Sequence, residues 1–417
     1  MRIFDSYDYL VTKSRHTRVA LRLTSRRQIN PSQSRRSSVT MVMACQGSAL
    51  HVASLFVLAS LVAFSQPTHA FGPFGGGDLD KGFNLLENAS KVVPQGRIVQ
   101  TAKQGWKFAW KRMMAELAPQ DKAGEYKRPS YTFSGEIGTP EFPDEPGRYH
   151  LYVGNPCPWC HRARLSLALR DITSDEVGVT ALEDNPVKAS RGGWIFGSAG
   201  KDPLGSADLR ELYDKLLPGF TGRCTAPLLV DLKTKTIVSN ESSDIVRMLN
   251  FATFGNKGKA RLDLYPEDLA TLVDETNDWV YELLNNGCYR CGFATQQNSY
   301  DRASEDVRRG LQRCEDILSE TDFLCGDVFT EADLRLLPTA LRFDGAYAPL
   351  FRAGGAHLRI KDYPSLHAWL RRCWSLEGVK DTIDLQDATS SYYRQLFPLN
   401  PGGLVPSAVT AKDLGCE

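Results

Sequence analysis

The chain has 417 residues, roughly two or three domains' worth of material, and its 42% hydrophobic and 24% charged content is ordinary for a globular protein. The formal net charge of +1 is unevenly spread: residues 1–40 carry nine Lys and Arg against two acids, residues 41–70 carry none of Asp, Glu, Lys or Arg, and the remainder carries 41 basic and 47 acidic residues. That acidic body, at about −6, argues against nucleic acid as the natural partner, because a phosphate-binding footprint needs excess positive charge.

The first 40 residues are rich in Arg and Ser, the signature of an organelle transit peptide. An apolar run, Val52–Phe64, follows and leads to Thr68-His69-Ala70, a small-x-small cleavage pattern. A run of about 13 residues falls short of the roughly 20 that a membrane span needs. A signal-type segment is therefore preferred, with a single membrane anchor as the alternative. Transit peptide then second signal is the order of bipartite plastid targeting, to stroma or thylakoid lumen. Residues 1–70 are read as this targeting region. The rest holds nine cysteines, and an odd number on so long a chain suggests a reducing compartment rather than a disulfide framework.

Residues 71–147 read as a Gly-rich tether, a helix and an arm. The helix spans 95–120, with Val99, Ala102, Trp106, Ala109, Trp110 and Met113 at helical spacing and Pro119 at its end. Residues 121–147 are proline-rich and irregular. Tyr149–Val153 is a short strand. Cys157-Pro158-Trp159-Cys160-His161 comes next, with Pro158 where a first helical turn tolerates it, and the helix runs on from Arg162 to Arg170. Residues 177–182 make a second strand, 226–231 and 236–239 a hairpin across Lys233-Thr234-Lys235, and Ser242–Asn250 a helix. Over residues 148–255 that order is thioredoxin-like. From about Asp268 the strand signals stop. Residues 268–286, 299–319, 331–342, 365–373 and 376–383 carry helical periodicity, and Thr330 with Asp333 comes close to a capping box. They make an all-helical domain over 256–394, followed by a tail over 395–417. The fold class is thus α/β plus all-α.

Cys157 sits immediately before a helix, where free N–H groups and the helix dipole favour a thiolate, the reacting species in thiol chemistry. Arg162 and Arg164 add nearby positive charge. C-x-x-C after a strand and opening a helix is a redox signal. Cys160 can act as a resolving thiol or stay silent. A second C-x-x-C, Cys288 and Cys291, could complete a four-sulfur zinc site with the first. The two pairs lie in different domains, however, and Pro158-Trp159 suits a zinc knuckle poorly, so no metal is expected. Buried, inert cysteines remain the bland alternative. Pro227, before an apolar strand, holds the position of a thioredoxin-type cis-proline. Glu241 and Ser242 open the next helix, where free N–H groups suit a carboxylate ligand or a plain cap.

The run Thr221–Asp231 with Thr236–Asn250, together with Asn285–Thr295, Thr330–Arg335, Arg342–Tyr347, Asp362–Pro364 and Tyr392-Tyr393, resembles the glutathionyl-hydroquinone reductases, the xi class of glutathione transferases. The resemblance covers roughly residues 105–410. It implies the glutathione-transferase fold, glutathione as co-substrate, quinone- or hydroquinone-type small molecules as partners, and a homodimer. It implies that Cys157 is the nucleophile and that Tyr289 exchanges a proton with the substrate oxygen. Tyr347 and Tyr392 help keep the cysteine ionised, although the adjacent Tyr393 leaves the second assignment ambiguous. Trp194, the stretch Arg223, Cys224, Thr225 and Ala226 leading to Pro227, and Glu241 with Ser242 contact glutathione, the last two at its γ-glutamyl end. Two departures stand out: the family usually shows Cys-Pro-Trp-Ala, where this chain ends on Cys160, and tends to carry a His where residues 388–391 read Ala-Thr-Ser-Ser. The activity implied is reduction of S-glutathionyl hydroquinones. An omega-type thiol transferase or dehydroascorbate reductase using the same cysteine, and a non-enzymatic redox-responsive or ligand-binding module, are the rivals.

Overall fold

The computed structural model describes residue 91 and residues 93–417 apart from 191, 198 and 199; the targeting region read at 1–70 lies outside them. The described residues belong to one unit, Asp78–Glu417. Helix α1, Gln95–Leu117, ends three residues short of the expected 120, where Ala118 turns extended. Arg223 donates to the Leu117 and Glu116 carbonyls at 3.1 and 3.2 Å. Those are two of the acceptors that a helix end leaves free.

The sheet has five strands in the order β3-β2-β1-β4-β5. Strand β1, Tyr149–Gly154, is buried along its whole length and lies at the centre. It runs parallel to β2, Val177–Asp184, in the register Tyr149 to Val177 through Gly154 to Leu182. On its other side it is antiparallel to β4, Leu228–Asp231, which forms the expected hairpin with β5, Thr236–Ser239. Helices α2, Pro158–Leu169, and α4, Ser242–Phe251, cover one face. Two elements of this sheet domain are not among those expected, and in the helical part neither is the helix Leu385–Gln395. Strand β3, Trp194–Ile195, has only two residues. Helix α3, Leu209–Leu216, spans two turns, capped by the Asp208 side chain on Glu211 N and packed through Leu209, Leu212 and Tyr213.

The helical part contains α5, Ala270–Val280, α6, Asn286–Phe293, α7, Gln297–Leu318, α8, Glu331–Arg342, α9, Pro364–Trp374, and α10, Leu385–Gln395. The capping box at Thr330 and Asp333 is formed. Two π-helical turns interrupt the α-helical runs, Tyr281–Asn285 between α5 and α6 and Phe343–Tyr347 after α8. Each wider turn rotates the residues beyond it relative to an unbroken helix, a device frequent at functional sites. The helix read at 376–383 does not form. Gly378 adopts φ +79° there, a left-handed conformation that ends helical geometry, and only the short 3-10 turn Lys380–Thr382 remains. The last helix is α10, capped by Asp384. Beyond Gln395, where α10 ends, the C-terminal tail has no helix or strand, yet Ala411 and Leu414 are buried in the helical core.

Candidate active site

Strand β1 ends at Gly154, and a two-residue turn delivers Cys157 to the N-cap of α2. Gly154 is required by close approach: a Cβ there would stand 2.3 Å from the Trp194 ring, which lies across the end of the strand. The Cys157 sulfur accepts from Cys160 N at 3.3 Å. As a thiol it donates to Ala226 O at 3.6 Å, and the Ala226–Pro227 bond is cis, as the sequence suggests. Cys157 is partly exposed, whereas Cys160 is fully buried.

Burial opposes ionisation of Cys157, but the Cys160 thiol and amide, the Arg342 guanidinium and the Trp159 amide outweigh it, and the Cys157 thiol is pulled below the ordinary range. Cys160 is pushed well above that range by burial and by its neighbour's sulfur. The cation differs from the expected pair. Arg162 turns away to Asn285 Oδ1 at 2.5 Å and Ser242 Oγ at 3.4 Å, and Arg164 bonds Asn155 and the Asp381 carbonyl. Arg342, at the end of α8, takes their place. It donates to Pro156 O at 3.0 Å, Asn155 O at 2.9 Å and Pro338 O at 3.1 Å. Its Nη1 also donates at 3.1 Å to Nδ1 of His161, whose Nε2 bonds Thr382 Oγ1 at 2.7 Å. Burial and Arg342 keep that imidazole neutral, so it can accept. Among the described residues Arg342 has no carboxylate partner, so its charge is left for the thiolate. Arg342→Met is expected to raise the Cys157 pKa and to slow iodoacetamide alkylation at neutral pH about tenfold, one pKa unit's worth. An unchanged alkylation midpoint would show that Arg342 only holds the turn.

Three tyrosines from three elements meet beside the cysteine. Tyr392 Oη lies 2.7 Å from Tyr289 Oη and 2.9 Å from Tyr347 Oη. Tyr289 follows the first π-turn on α6, Tyr347 ends the second, and Tyr392 comes from α10. Of the adjacent pair it is Tyr392, not Tyr393, whose hydroxyl joins the other two, while Tyr393 is only half-buried. Burial first, and the neighbouring tyrosines second, push Tyr289 and Tyr347 well above the usual phenol range; burial pushes Tyr392 up to about 12. All three therefore stay protonated at neutral pH.

Cys157, Tyr289 and Tyr392 line one cavity of about 520 Å³, with Trp159, Trp194 and Leu396 as apolar walls. Asp184, at the end of β2, lies on the same wall, hydrogen-bonded by Ser391. Burial raises its carboxyl. Asp184 carries no motif and is unforeseen in the sequence. Of the expected glutathione contacts, Trp194 lines this cavity, and Ala226, joined to Pro227 by the cis bond, stands against Cys157. Thr225 Oγ1 accepts from Asn240 at 3.1 Å, Cys224 is buried, and the Arg223 side chain caps α1. Glu241 and Ser242 begin α4 beside a second cavity of about 330 Å³. Cys288 and Cys291 are buried in the helical core, and no group of three or more His, Cys, Asp or Glu among the described residues is placed to hold a metal ion.

A thioredoxin-like sheet with an activated cysteine at a helix start, followed by a helical domain that leans its own side chains over that cysteine, is the plan of a glutathione transferase. Family models agree: "Glutathione S-transferase, N-terminal domain" matches residues 156–251 and "Glutathione S-transferase, C-terminal domain" matches 297–372. The chain is 39% identical over 276 residues to the glutathionyl-hydroquinone reductase YqjG of Escherichia coli, covering 65% of this chain and 82% of that protein. It superposes on the xi glutathione transferase of Phanerochaete chrysosporium with a TM-score of 0.64 at 39% identity, over 69% of this chain and 93% of that one. The glutathione-bound structure of YqjG gives 0.62 at 37%, over 66% and 92%. The chain therefore belongs to the glutathionyl-hydroquinone reductases, the xi-class glutathione transferases.

Proposed function

We propose that this chain is a glutathione-dependent enzyme that reduces S-glutathionyl hydroquinones to hydroquinones. The observation that carries the reading is a single cavity shared by an ionisable cysteine and two protonated tyrosine hydroxyls. Trp159, Trp194 and Leu396 offer the apolar faces that an aromatic ring requires, and Asp184 with Ser391 adds a second polar point for a ring oxygen.

The substrate's glutathionyl part lies along Pro227 toward Glu241 and Ser242. Tyr289 donates to the ring oxygen and stabilises the keto form. The keto form's ring carbon already carries a hydrogen; the Cys157 thiolate attacks the glutathionyl sulfur, the carbon–sulfur bond breaks, and its electron pair passes through that carbon to the keto oxygen. That oxygen takes a proton and the hydroquinone leaves, its ring reduced by two electrons. Cys157 is left as a mixed disulfide with glutathione. The thiolate of a second glutathione attacks that disulfide, releasing oxidised glutathione and regenerating Cys157. In sum, one aryl thioether and one glutathione give one hydroquinone and one oxidised glutathione.

A turnover assay with glutathionyl-menadiol, the hydroquinone-level thioether, tests this. Equal amounts of oxidised glutathione and free menadiol are expected. Reduction of dehydroascorbate or small disulfides without thioether cleavage would instead assign an omega-type activity.

A further inference from the structure

The second cavity holds charges that the chemistry at Cys157 does not use. Its wall brings the guanidiniums of Arg128, Arg162 and Arg335 against the carboxylates of Glu241 and Asp278. Arg128 belongs to the irregular arm, outside both stretches matched by the family models. Its Nη2 donates to Glu241 Oε2 at 2.9 Å. Its guanidinium carbon stands 4.2 Å from the Trp159 ring centre and 5.8 Å from that of Tyr281. Glu241 is buried, and its other oxygen accepts from Ser243 N at 3.3 Å and from the Ser242 and Ser243 hydroxyls, both at 3.2 Å. One oxygen caps α4, and the other faces Arg128.

The arm is tied down on either side of Arg128. Glu125 pairs with Arg290 at 3.2 Å, and Gly135 N donates to Val238 O of β5 at 2.8 Å. Arg128 is thus presented by a fixed segment. Two further polar atoms among the cavity-lining residues have no hydrogen-bond partner, Oδ1 of the buried Asn277 and Nε of Arg335. Buried polar atoms left unpaired are costly, and a wall that gathers two of them beside an ion pair is suited to a polar ligand.

The γ-glutamyl end of glutathione is an α-amino acid, with an ammonium and a carboxylate on one carbon. A receptor for it needs an anion and a cation side by side. Arg162 is committed to Asn285 and Arg335 to Glu331. Arg128 is the cation in this wall that contacts Glu241 directly. We propose that Arg128 is a glutathione-binding residue, its guanidinium receiving the α-carboxylate while Glu241 holds the α-ammonium. The Trp159 and Tyr281 rings keep the guanidinium in place by cation–π attraction when Glu241 turns toward the ammonium. The arm then forms part of the glutathione site, and the Trp159 ring links that end to the cavity at Cys157. This inference rests on the reading of glutathione as co-substrate.

Calorimetric titration tests it, with three ligands on the wild type and on Arg128→Gln. They are glutathione, γ-aminobutyryl-Cys-Gly, which lacks the α-carboxylate, and glutaryl-Cys-Gly, which lacks the ammonium. Arg128→Gln is expected to weaken glutathione binding about 10- to 100-fold, the usual worth of a charge-assisted contact. Wild type should lose a similar factor toward γ-aminobutyryl-Cys-Gly, and the variant should no longer distinguish that ligand from glutathione. Glutaryl-Cys-Gly should bind weakly to both. Glutathione binding equal or tighter in a variant that melts like wild type would overturn the proposal and leave Arg128 as an occupant of the Glu241 site. Wild type binding γ-aminobutyryl-Cys-Gly as tightly as glutathione would overturn it without any variant. Failure of wild type to bind glutathione at all would remove the co-substrate reading, and the clamp with it.

Discussion

Cys157→Ser is expected to lower thioether cleavage by at least about 10³-fold, with no glutathione adduct on the protein. A serine hydroxyl keeps the position at the N-cap of α2 and can still accept from Cys160 N. What it lacks is an anion at neutral pH. Against the burial that opposes it, the Cys160 thiol and amide, Arg342 and the Trp159 amide pull a thiol below its ordinary range, but they cannot make an alcohol ionise at neutral pH. The acid side of the pH profile has a definite sign: a lowered thiol pKa means that the thiolate fraction, and hence kcat/KM, rises below the ordinary thiol value near 8.5 and levels off above. The raised tyrosines put no opposing fall in the neutral range. Retained turnover in Cys157→Ser would remove covalent catalysis from this site.

Cys160 provides the internal comparison. It is fully buried and its own thiol is held well above the ordinary range, so it is slow to form the thiolate that would resolve the mixed disulfide. The backbone amide that Cys157 leans on survives replacement by alanine. The Cys160 thiol does help to lower the Cys157 pKa, so Cys160→Ala is expected to lose some activity and keep about half or more of it. Mass spectrometry of the trapped enzyme should show one added glutathione. A dominant Cys157–Cys160 disulfide, with collapse of activity in Cys160→Ala, would make this a dithiol reductase.

How far the site can be read from the sequence depends on the range of the interactions involved. Cys157 is legible because everything that exposes and activates it locally, the strand before it and Pro158 after it, lies within a few residues. The cation is not legible in the same way. Arg162 and Arg164 are near in sequence, but Arg162 projects from α2 toward Asn285 and Ser242, while Arg164 is held by Asn155 and the Asp381 carbonyl. Arg342 arrives from the far end of α8, and no spacing rule connects it with the cysteine; its only trace is a place in the Arg342–Tyr347 motif. Helix α3 and strand β3 are too short for periodicity to separate from their glycine-containing surroundings. The π-turns pose a different difficulty. A wider turn leaves no mark in a 3.6-residue pattern, so residues 268–286 read as one plain helix although Tyr281–Asn285 is wound differently. Arg128 sits in an arm whose prolines say only that it is irregular.

Tyr289→Phe is expected to lose about 10²- to 10⁴-fold in thioether cleavage, the usual size of one acid–base contribution, while Cys157 alkylation keeps its pH dependence. The geometry also ranks the other two tyrosines. Tyr289 and Tyr392 both line the cavity, 2.7 Å apart at their hydroxyls, whereas Tyr347 is fully buried behind them, its hydroxyl 2.9 Å from that of Tyr392 and its ring centre 5.8 Å from that of Tyr289. Removing the Tyr289 hydroxyl takes away a group that can touch the substrate oxygen. Removing that of Tyr347 takes away a buried neighbour that orients the two cavity tyrosines, and its loss should be the smallest of the three. The Phe ring preserves the packing of Tyr289 against Phe351, with ring centres 5.4 Å apart, and against Trp159, at 6.0 Å, so a fall in kcat would reflect the hydroxyl and not the shape of the wall. If Tyr347→Phe proved the most damaging and Tyr289→Phe turned over like wild type, the proton would have to be assigned to Tyr392, with Tyr347 as the residue that holds it in position.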